Sequence, residues 1–332
     1  MAALLTRFSA EAADLVLVLS RERRSLKDSF HMAPKVLALL LSAVATARAL
    51  QATAAPAAAT ASSSTDTFWA GTRVLLAGAS SGLGEALANE LSARGSKLVI
   101  TARRADRLKS IADGCARIAQ GGAPKILPMD VTNEGAILEA QAAEAAALLG
   151  GPVDVLCYAA GVGQRTTAVG TSAAGHRQIM ATNFEGAVAL SRAVLPSMLE
   201  RGCGHIVVVS SVQGFFGQPG RSSYAASKAA MLGYFDAVRA EVASQGVGVT
   251  VVVPGYIATD HSATAVGGAG EADDNAKKGM SPESLATMIA DAVENKQPQL
   301  LASQLDGRLA IWLRALWPAA LFKIMEGKAK KL

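Results

Sequence analysis

The stretch RVLLAGASSGLG, residues 73–84, decides the fold. Its first five residues form a short, mostly apolar run typical of a buried strand, and an amphipathic stretch, Glu85–Arg94, follows the glycines. Glycine is needed where backbone approaches a pyrophosphate and where a helix packs closely on a sheet. The helix N-terminus then offers free N–H groups and partial positive charge to phosphates. The stretch therefore predicts a strand, a phosphate-binding turn and a helix.

Similar units of strand, loop and helix follow along the chain. Further strands are predicted at Lys97–Ala102, Lys125–Met129, Val153–Cys157, Gly204–Ser210 and Val249–Val253. Long helices are predicted at about residues 172–199 and 222–244. Strands that alternate with helices imply a parallel sheet covered on both faces, which binds ligands at the carboxyl ends of its strands. The predicted fold class is therefore α/β, a Rossmann-type, doubly wound parallel sheet in a three-layer α/β/α arrangement.

The charge distribution separates the two ends of the chain from its body. Residues 1–65 carry seven Lys/Arg and four Asp/Glu, and residues 307–332 carry six and one. Because the net charge is +5, residues 66–306 hold a small acidic excess. The pattern predicts a leader, a single nucleotide-binding domain and a basic C-terminal segment. An acidic body argues against a nucleic-acid groove and points to the ends as targeting or membrane-surface segments.

The leader has features of targeting sequences. Residues 36–50, VLALLLSAVATARAL, are apolar over too short a length to span a bilayer well. From Met32 onward the pattern is similar to a secretory signal peptide, and Met32 is a candidate for the true start. Residues 51–65, nearly all Ala, Thr and Ser, suit a linker, a disordered tail or a transit peptide. We therefore expect the endoplasmic reticulum or its membrane, with a plastid or another organelle as the alternative.

The C-terminal segment combines Trp, Leu and Phe with interspersed basic residues. Residues 308–325 have the composition of an amphipathic helix that lies in a membrane interface. The alternative is a helix that packs on its own domain or across a dimer. Lys328 and Lys330 have the spacing of a dilysine retrieval signal for the endoplasmic reticulum, with a solvated basic tail as the alternative.

The cysteines and histidines give no sign of a disulfide framework or a metal site. The cysteines form no Cys-x-x-Cys pair, so we expect buried free thiols. They are Cys115, Cys157 and Cys203. The histidines of the body lack metal-ligand spacing, so we expect surface or structural roles for them. They are His176, His205 and His261.

Residues at the strand ends predict which dinucleotide binds. Arg103 and Arg104 stand where an acidic residue would hydrogen-bond the ribose 2′-hydroxyl of NAD. Two arginines instead favour the 2′-phosphate of NADP, and the alternative is a pair of solvent-facing side chains. Asp130 is expected near the adenine. The predicted site for NADP(H) also includes Gly78, Ser80, Ser81, Gly82, Leu83, Gly84, Val131, Tyr158, Ala159, Ala160, Gly161, Pro254 and Gly255.

Tyr224 and Lys228 lie four residues apart and therefore share one face of a helix. An ammonium group beside a phenol should depress the phenol pKa, so that Tyr224 exchanges a proton near neutral pH. Ser211, at the end of a predicted strand, would hold a substrate oxygen. With a hydride carrier nearby, these groups suit alcohol oxidation or carbonyl reduction. Chance spacing on a surface helix is the alternative, but the clustering of cofactor residues at strand ends favours catalysis.

The motifs over residues 70–300 resemble those of the short-chain dehydrogenase/reductase family. The family's glycine motif matches residues 78–84, with Ala77 in place of the usual threonine, and its Pro-Gly motif matches residues 254–255. Its Asn-Asn-Ala-Gly motif is altered to Tyr-Ala-Ala-Gly at residues 158–161. The stretches at residues 98–104 and 312–314 are similar to the dehydrogenase/reductase member 7-like branch, many of whose members are membrane-associated.

The family's catalytic tetrad matches Asn183, Ser211, Tyr224 and Lys228, with the expected 13-residue step from serine to tyrosine. The resemblance implies that Tyr224 is the acid in reduction and the base in oxidation. It implies that Lys228 lowers the tyrosine pKa and binds the nicotinamide ribose, and that Asn183 holds a water linking the lysine to solvent. It also implies that Ile257 and Thr259 meet the nicotinamide and the phosphates, and that Tyr224 and Lys228 contact the cofactor.

The resemblance further implies a small alcohol or carbonyl substrate and a homodimer or homotetramer. We expect residues 262–279, rich in Gly, Ala and charge, to form a flexible lid, with an inert loop as the alternative. We expect an apolar pocket suited to a steroid, retinoid, sphingoid or lipid-like molecule. The alternatives are an inactive NADP-binding sensor or scaffold and a sugar-nucleotide epimerase. For an epimerase, the 108 residues after Tyr224 leave little room for a sugar-binding domain.

Overall fold

The computed structural model describes residues 68–259, 261, 264–268 and 278–330. The leader predicted at residues 1–65 lies outside the described residues, and so does most of the lid expected at residues 262–279. Predictions for these segments stay predictions.

Within the described residues, seven parallel strands form one sheet in the order β3-β2-β1-β4-β5-β6-β7. The strands are β1 (Arg73–Ala77), β2 (Lys97–Ala102), β3 (Lys125–Pro128), β4 (Val155–Tyr158), β5 (Gly204–Val209), β6 (Val247–Pro254) and β7 (Gln299–Ala302). Most of their residues are buried aliphatic side chains, as expected when helices cover both faces of a parallel sheet. The chain order reverses between β1 and β4, and a doubly wound sheet binds its ligand at such a point.

Helices cover both faces of the sheet. They are α1 (Gly82–Ala93), α2 (Ala105–Cys115), α3 (Gly135–Leu149), α4 (Ala173–Met180), α5 (Gly186–Arg201), α6 (Ser222–Val242), α7 (Pro282–Glu294), α8 (Leu305–Leu316) and α9 (Pro318–Ala329). Helices α1, α2 and α7 bury their apolar sides on one face, and α3, α5 and α6 bury theirs on the other. The predicted three-layer, doubly wound parallel fold is therefore confirmed.

The boundaries of some elements differ from the sequence prediction. The helix predicted at about residues 172–199 is interrupted by a π-helical turn, Ala181–Glu185. In this turn the Asn183 side chain bonds to the backbone of Val162 instead of facing solvent. The described structure also contains α7 and β7, which no sequence motif marks and which complete one edge of the sheet.

The C-terminal segment forms two helices rather than one, because Pro318 cannot continue α8 and instead begins α9. Ala310 and Leu321 are buried against the core beside α5 and α6. Phe322 and Ile324 of α9 are exposed on the outer side. None of the described helices is long and apolar enough to cross a membrane. Interfacial membrane binding by this segment stays a prediction.

The cysteines and His205 mostly occupy structural positions. Cys115 and Cys157 are buried free thiols as expected, whereas Cys203 is exposed, so its predicted burial is wrong. His205 is buried, and its Nε2 lies 2.8 Å from Thr250 Oγ1. Burial lowers the pKa of His205 to about 4, so the imidazole is neutral at pH 7 and ties β5 to β6.

Candidate active site

The glycine turn after β1 brings three backbone segments into contact. Gly78 has a φ of +88°, in the region that favours glycine, and its N–H donates to the Thr101 carbonyl at 2.9 Å. A Cβ on Gly78 would lie 2.4 Å from Ala160 N, and one on Gly84 would lie 2.1 Å from the Gly78 oxygen. Only glycine therefore allows β1, the β4 loop and α1 to approach one another, and the start of α1 opens onto the strand ends.

A crevice of about 950 Å³ lies over the carboxyl ends of the strands. Every residue predicted to bind the cofactor lines it, with the exception of Tyr158. Ser211, Tyr224 and Lys228 line the same crevice. The structure thus brings the glycine turn and these three predicted catalytic residues into one space.

The guanidinium of Arg104 lies over the glycine turn. Its Nη2 donates to Ser80 Oγ at 2.9 Å, to the Ser80 carbonyl at 3.2 Å and to Ser81 Oγ at 3.2 Å. Arg103 is exposed on the adjoining crevice wall. Asp130 accepts from the N–H and the hydroxyl of Thr132, which orients its carboxylate at the end of β3. This end of the crevice therefore carries two arginines beside the turn and one oriented acid.

Tyr158 does not face the crevice, and its predicted contact with the cofactor is corrected. Successive side chains of a strand point to opposite faces, so Cys157 and Tyr158 enter different cores. The Tyr158 side chain is 1% exposed, and its hydroxyl donates to the Thr182 carbonyl in the π-helical turn at 2.5 Å. Tyr158, the first residue of the altered motif, therefore fills the core beneath the crevice, while residues 159–161 form the floor of the crevice.

The predicted catalytic residues Ser211, Tyr224 and Lys228 meet where β5 ends and α6 begins. The Ser211 side chain lies near enough to the Tyr224 hydroxyl to lower its pKa. Lys228 Nζ lies 5.8 Å from the Tyr224 ring centroid and donates to the Val209 carbonyl at 2.8 Å. Ser210 Oγ donates to the Lys228 carbonyl at 3.0 Å, which fastens α6 to the end of β5.

The predicted depression of the tyrosine pKa is wrong for this arrangement. Burial raises the pKa of Tyr224, and the Ser211 side chain and the charge of Arg221 offset part of that rise. Burial lowers the pKa of Lys228 to about 7. Both shifts have one cause, because a desolvated phenolate and a desolvated ammonium are each disfavoured. Lys228 therefore changes its charge near neutral pH beneath a phenol that stays protonated.

Asn183 lies behind the floor rather than on the crevice wall. Its Oδ1 accepts from Val162 N at 2.7 Å, and its Nδ2 donates to the Val162 carbonyl and to Ser227 Oγ, each at 3.0 Å. A Cβ on Gly161 would lie 3.4 Å from Asn183 Oδ1 and 3.7 Å from Lys228 Nζ. Asn183 therefore shapes the space beside the lysine, and its role in holding a water stays a prediction.

The end of the crevice that holds Tyr224 is more polar than the sequence indicated. Its wall includes Gln213, Gln218, Arg221 and His261, so the expected apolar pocket is not what the described residues form. His261 is exposed, which agrees with the expected surface position, and its ring centroid lies 6.1 Å from that of Tyr224. The sequence contains one sign of this location, because His261 follows the crevice residue Thr259 by two positions.

Comparisons with known proteins give relatives over most of the chain. A family model described as short chain dehydrogenase matches residues 72–267. Dehydrogenase/reductase SDR family member 7B of Danio rerio is 40% identical over 264 residues, covering 78% of this chain and 85% of that protein. Dehydrogenase/reductase SDR family protein 7-like of Drosophila melanogaster is 38% identical over 268 residues, covering 79% and 82%.

The fold also matches a solved structure of a metagenomic short-chain oxidoreductase in complex with NADP. The TM-score is 0.59 at 24% identity, covering 71% of this chain and 97% of that one, which supports the fold alone. A glycine turn and a Tyr-Lys pair at the strand ends of such a sheet define a dinucleotide-binding oxidoreductase fold. From the sequence matches, the chain belongs to the short-chain dehydrogenase/reductase family.

The glycine turn can be tested with a pair of substitutions. Gly78→Ala should lower the free energy of unfolding by more than about 3 kcal/mol, because its Cβ would meet backbone atoms at a positive φ. Gly233→Ala, in the middle of α6 with open space around it, should raise the free energy of unfolding by about 0.5–1 kcal/mol. Urea denaturation measures both, and equal stability of the two variants would contradict the close approach.

The buried lysine predicts a pH dependence of stability. Lys228 has a pKa of about 7 when folded and 10.5 when unfolded, so the unfolded chain binds more protons between these pH values. The free energy of unfolding therefore rises with pH across that window as the buried lysine loses its proton. Below pH 7 the full cost of burying the ammonium group remains. Relative to Lys228→Met, the wild-type protein should gain on the order of a few kcal/mol between pH 7 and 10 in denaturation experiments. Parallel pH curves would contradict a desolvated amine.

Proposed function

We propose that the protein is an NADP(H)-dependent oxidoreductase that interconverts a carbonyl and an alcohol, with Tyr224 as the acid and base. The single observation that carries this proposal is that Ser211, Tyr224 and Lys228 line the same crevice as the glycine turn. A phenol and a second hydroxyl aimed at one point suit a carbonyl oxygen that gains charge and then a proton.

The crevice fits a phosphorylated dinucleotide. Gly78 and Gly84 let the turn pack closely on the β4 loop and on α1, so the start of α1 opens onto the strand ends, and helix N-termini attract phosphates. Arg104 lies over this turn, where it would meet a ribose 2′-phosphate. Sites that bind NAD instead carry an acidic residue at this strand end. The metagenomic oxidoreductase that shares this fold was solved in complex with NADP. When bound, NADPH supplies a hydride to the carbonyl carbon.

The residues of this chain handle the proton. In reduction, the Tyr224 hydroxyl donates its proton to the substrate oxygen while Ser211 Oγ hydrogen-bonds that oxygen. Lys228, which ionises near pH 7, stabilises the resulting phenolate when it is protonated. In oxidation the phenolate removes the hydroxyl proton of the alcohol. Burial that keeps Tyr224 protonated at neutral pH suits it to the role of acid in carbonyl reduction.

A screen of steroid, retinoid, sphingoid and quinone carbonyls with NADPH would identify the substrate class. The polar side chains Gln213, Gln218 and His261 favour substrates that carry a hydrogen-bonding group near the carbonyl. A catalytically inactive sensor is the alternative function, and binding of NADPH without turnover of any carbonyl would favour it.

The proposed acid is tested by Tyr224→Phe. We expect kcat to fall by about a thousandfold, because the ring stays and the transferable proton is lost, while the Kd for NADPH changes less than about twofold. Tyr234→Phe is the matched control, since Tyr234 lies on the same helix and packs against Phe184 and Phe235. Retention of wild-type kcat by Tyr224→Phe in an NADPH oxidation assay would refute the assignment.

The cofactor preference is tested by Arg104→Ala. We expect the Kd for NADPH to rise by about tenfold or more while the Kd for NADH is unchanged, because only NADPH carries the 2′-phosphate. Arg117→Ala, at an exposed arginine outside the crevice, should change neither value. Isothermal titration measures both cofactors, and an equal loss for NADPH and NADH would contradict the assignment.

A further inference from the structure

Gln164 is a fully buried polar residue whose side chain reaches the first turn of α6. Its Oε1 accepts from Ser223 N at 2.7 Å and from Tyr224 N at 3.1 Å. Its Nε2 donates to Thr171 Oγ1 at 2.7 Å and to the Thr166 carbonyl at 3.1 Å. The exposed fraction of the residue is 0%, so these bonds are made away from water.

These contacts make Gln164 the cap of the helix that carries Tyr224. The first N–H groups of a helix have no partner within the helix and need an acceptor from elsewhere. Arg221 precedes α6, and an arginine side chain has no acceptor atom. The acceptor instead comes from Gln164, which is 60 positions away from Tyr224 in the sequence.

The backbone around Gln164 is itself held by two parts of the site. Two positions earlier, Val162 exchanges two hydrogen bonds with the Asn183 side chain. Gln164 pairs with Val266 as an isolated parallel bridge, and the flanking Gly163 carbonyl accepts from Val266 N at 3.0 Å. The segment at residues 162–166 therefore joins the crevice floor, the first turn of α6 and the segment that follows β6.

We propose that Gln164 is a positioning residue that sets the place of Tyr224 in the crevice. This inference rests on the proposed function and adds a residue to it that no sequence motif marks. Gln164 lies behind the first turn of α6 and acts through the backbone N–H of Tyr224. Loss of the cap leaves two buried N–H groups unpaired and lets the first turn of α6 move, and displacements near 1 Å at a reacting group cost orders of magnitude in rate.

The test compares Gln164→Ala with Gln164→Glu. For Gln164→Ala we expect kcat to fall at least tenfold while the Kd for NADPH changes less than about twofold. The buried carboxyl group of Gln164→Glu keeps an acceptor for both N–H groups and, in its protonated form, a donor for the Thr166 carbonyl, so it should recover most of the lost kcat. Gln245→Ala removes a glutamine bond to the backbone at the opposite end of the same helix and should leave kcat unchanged.

Hydrogen exchange of the full-length protein gives a readout that needs no substrate. The amides of Ser223 and Tyr224 should exchange at least tenfold faster in Gln164→Ala than in the wild type, and Gln164→Glu should keep their protection. Unchanged protection in Gln164→Ala, or wild-type kcat despite lost protection, would overturn the inference. If Gln164→Ala does not fold, Gln164→Glu decides, because loss of both kcat and amide protection in that variant would overturn the cap. A wild-type protein without carbonyl turnover contradicts the proposed function but leaves the exchange experiment decisive for the cap.

Discussion

The buried attachment of Lys228 to the end of β5 is the interaction on which the site depends. Its Nζ donates to the Val209 carbonyl, and its own carbonyl accepts from Ser210 Oγ. The residue proposed to assist Tyr224 therefore also attaches α6 to the end of β5. Because parallel strands end at one edge of the sheet, this attachment also fixes α6 beside the glycine turn. Tyr224, one helical turn before Lys228, is thereby held against Ser211.

Desolvation at this attachment determines the electrostatics. An isolated lysine in water remains an ammonium ion up to about pH 10.4, and its charge would depress the pKa of a neighbouring phenol. Buried with one carbonyl as its oxygen partner, Lys228 instead ionises near pH 7, and the pKa of Tyr224 rises. The pair therefore holds a phenolic proton at neutral pH next to an amine whose charge responds to pH.

Local signals predicted much of the fold and the dinucleotide end of the site. The apolar runs gave the bounds of β1 and β2, because a buried parallel strand needs a continuous apolar stretch between turns. Tyr158 was wrongly predicted to contact the cofactor, because the side of β4 on which it lies depends on the strand register, which a four-residue motif does not contain. Gln164 escaped because tertiary contacts with α6, not local spacing, bring it to the site.

The most direct test of the central claim follows the hydride. NADPH that carries deuterium at the transferable position of C4 is incubated with a panel of carbonyl compounds, and the alcohols are examined by mass spectrometry. If the crevice joins a hydride carrier to Tyr224, the wild-type protein forms an alcohol with one deuterium on the former carbonyl carbon. If NADPH binds and no alcohol in the panel acquires deuterium, the protein is not the oxidoreductase described above.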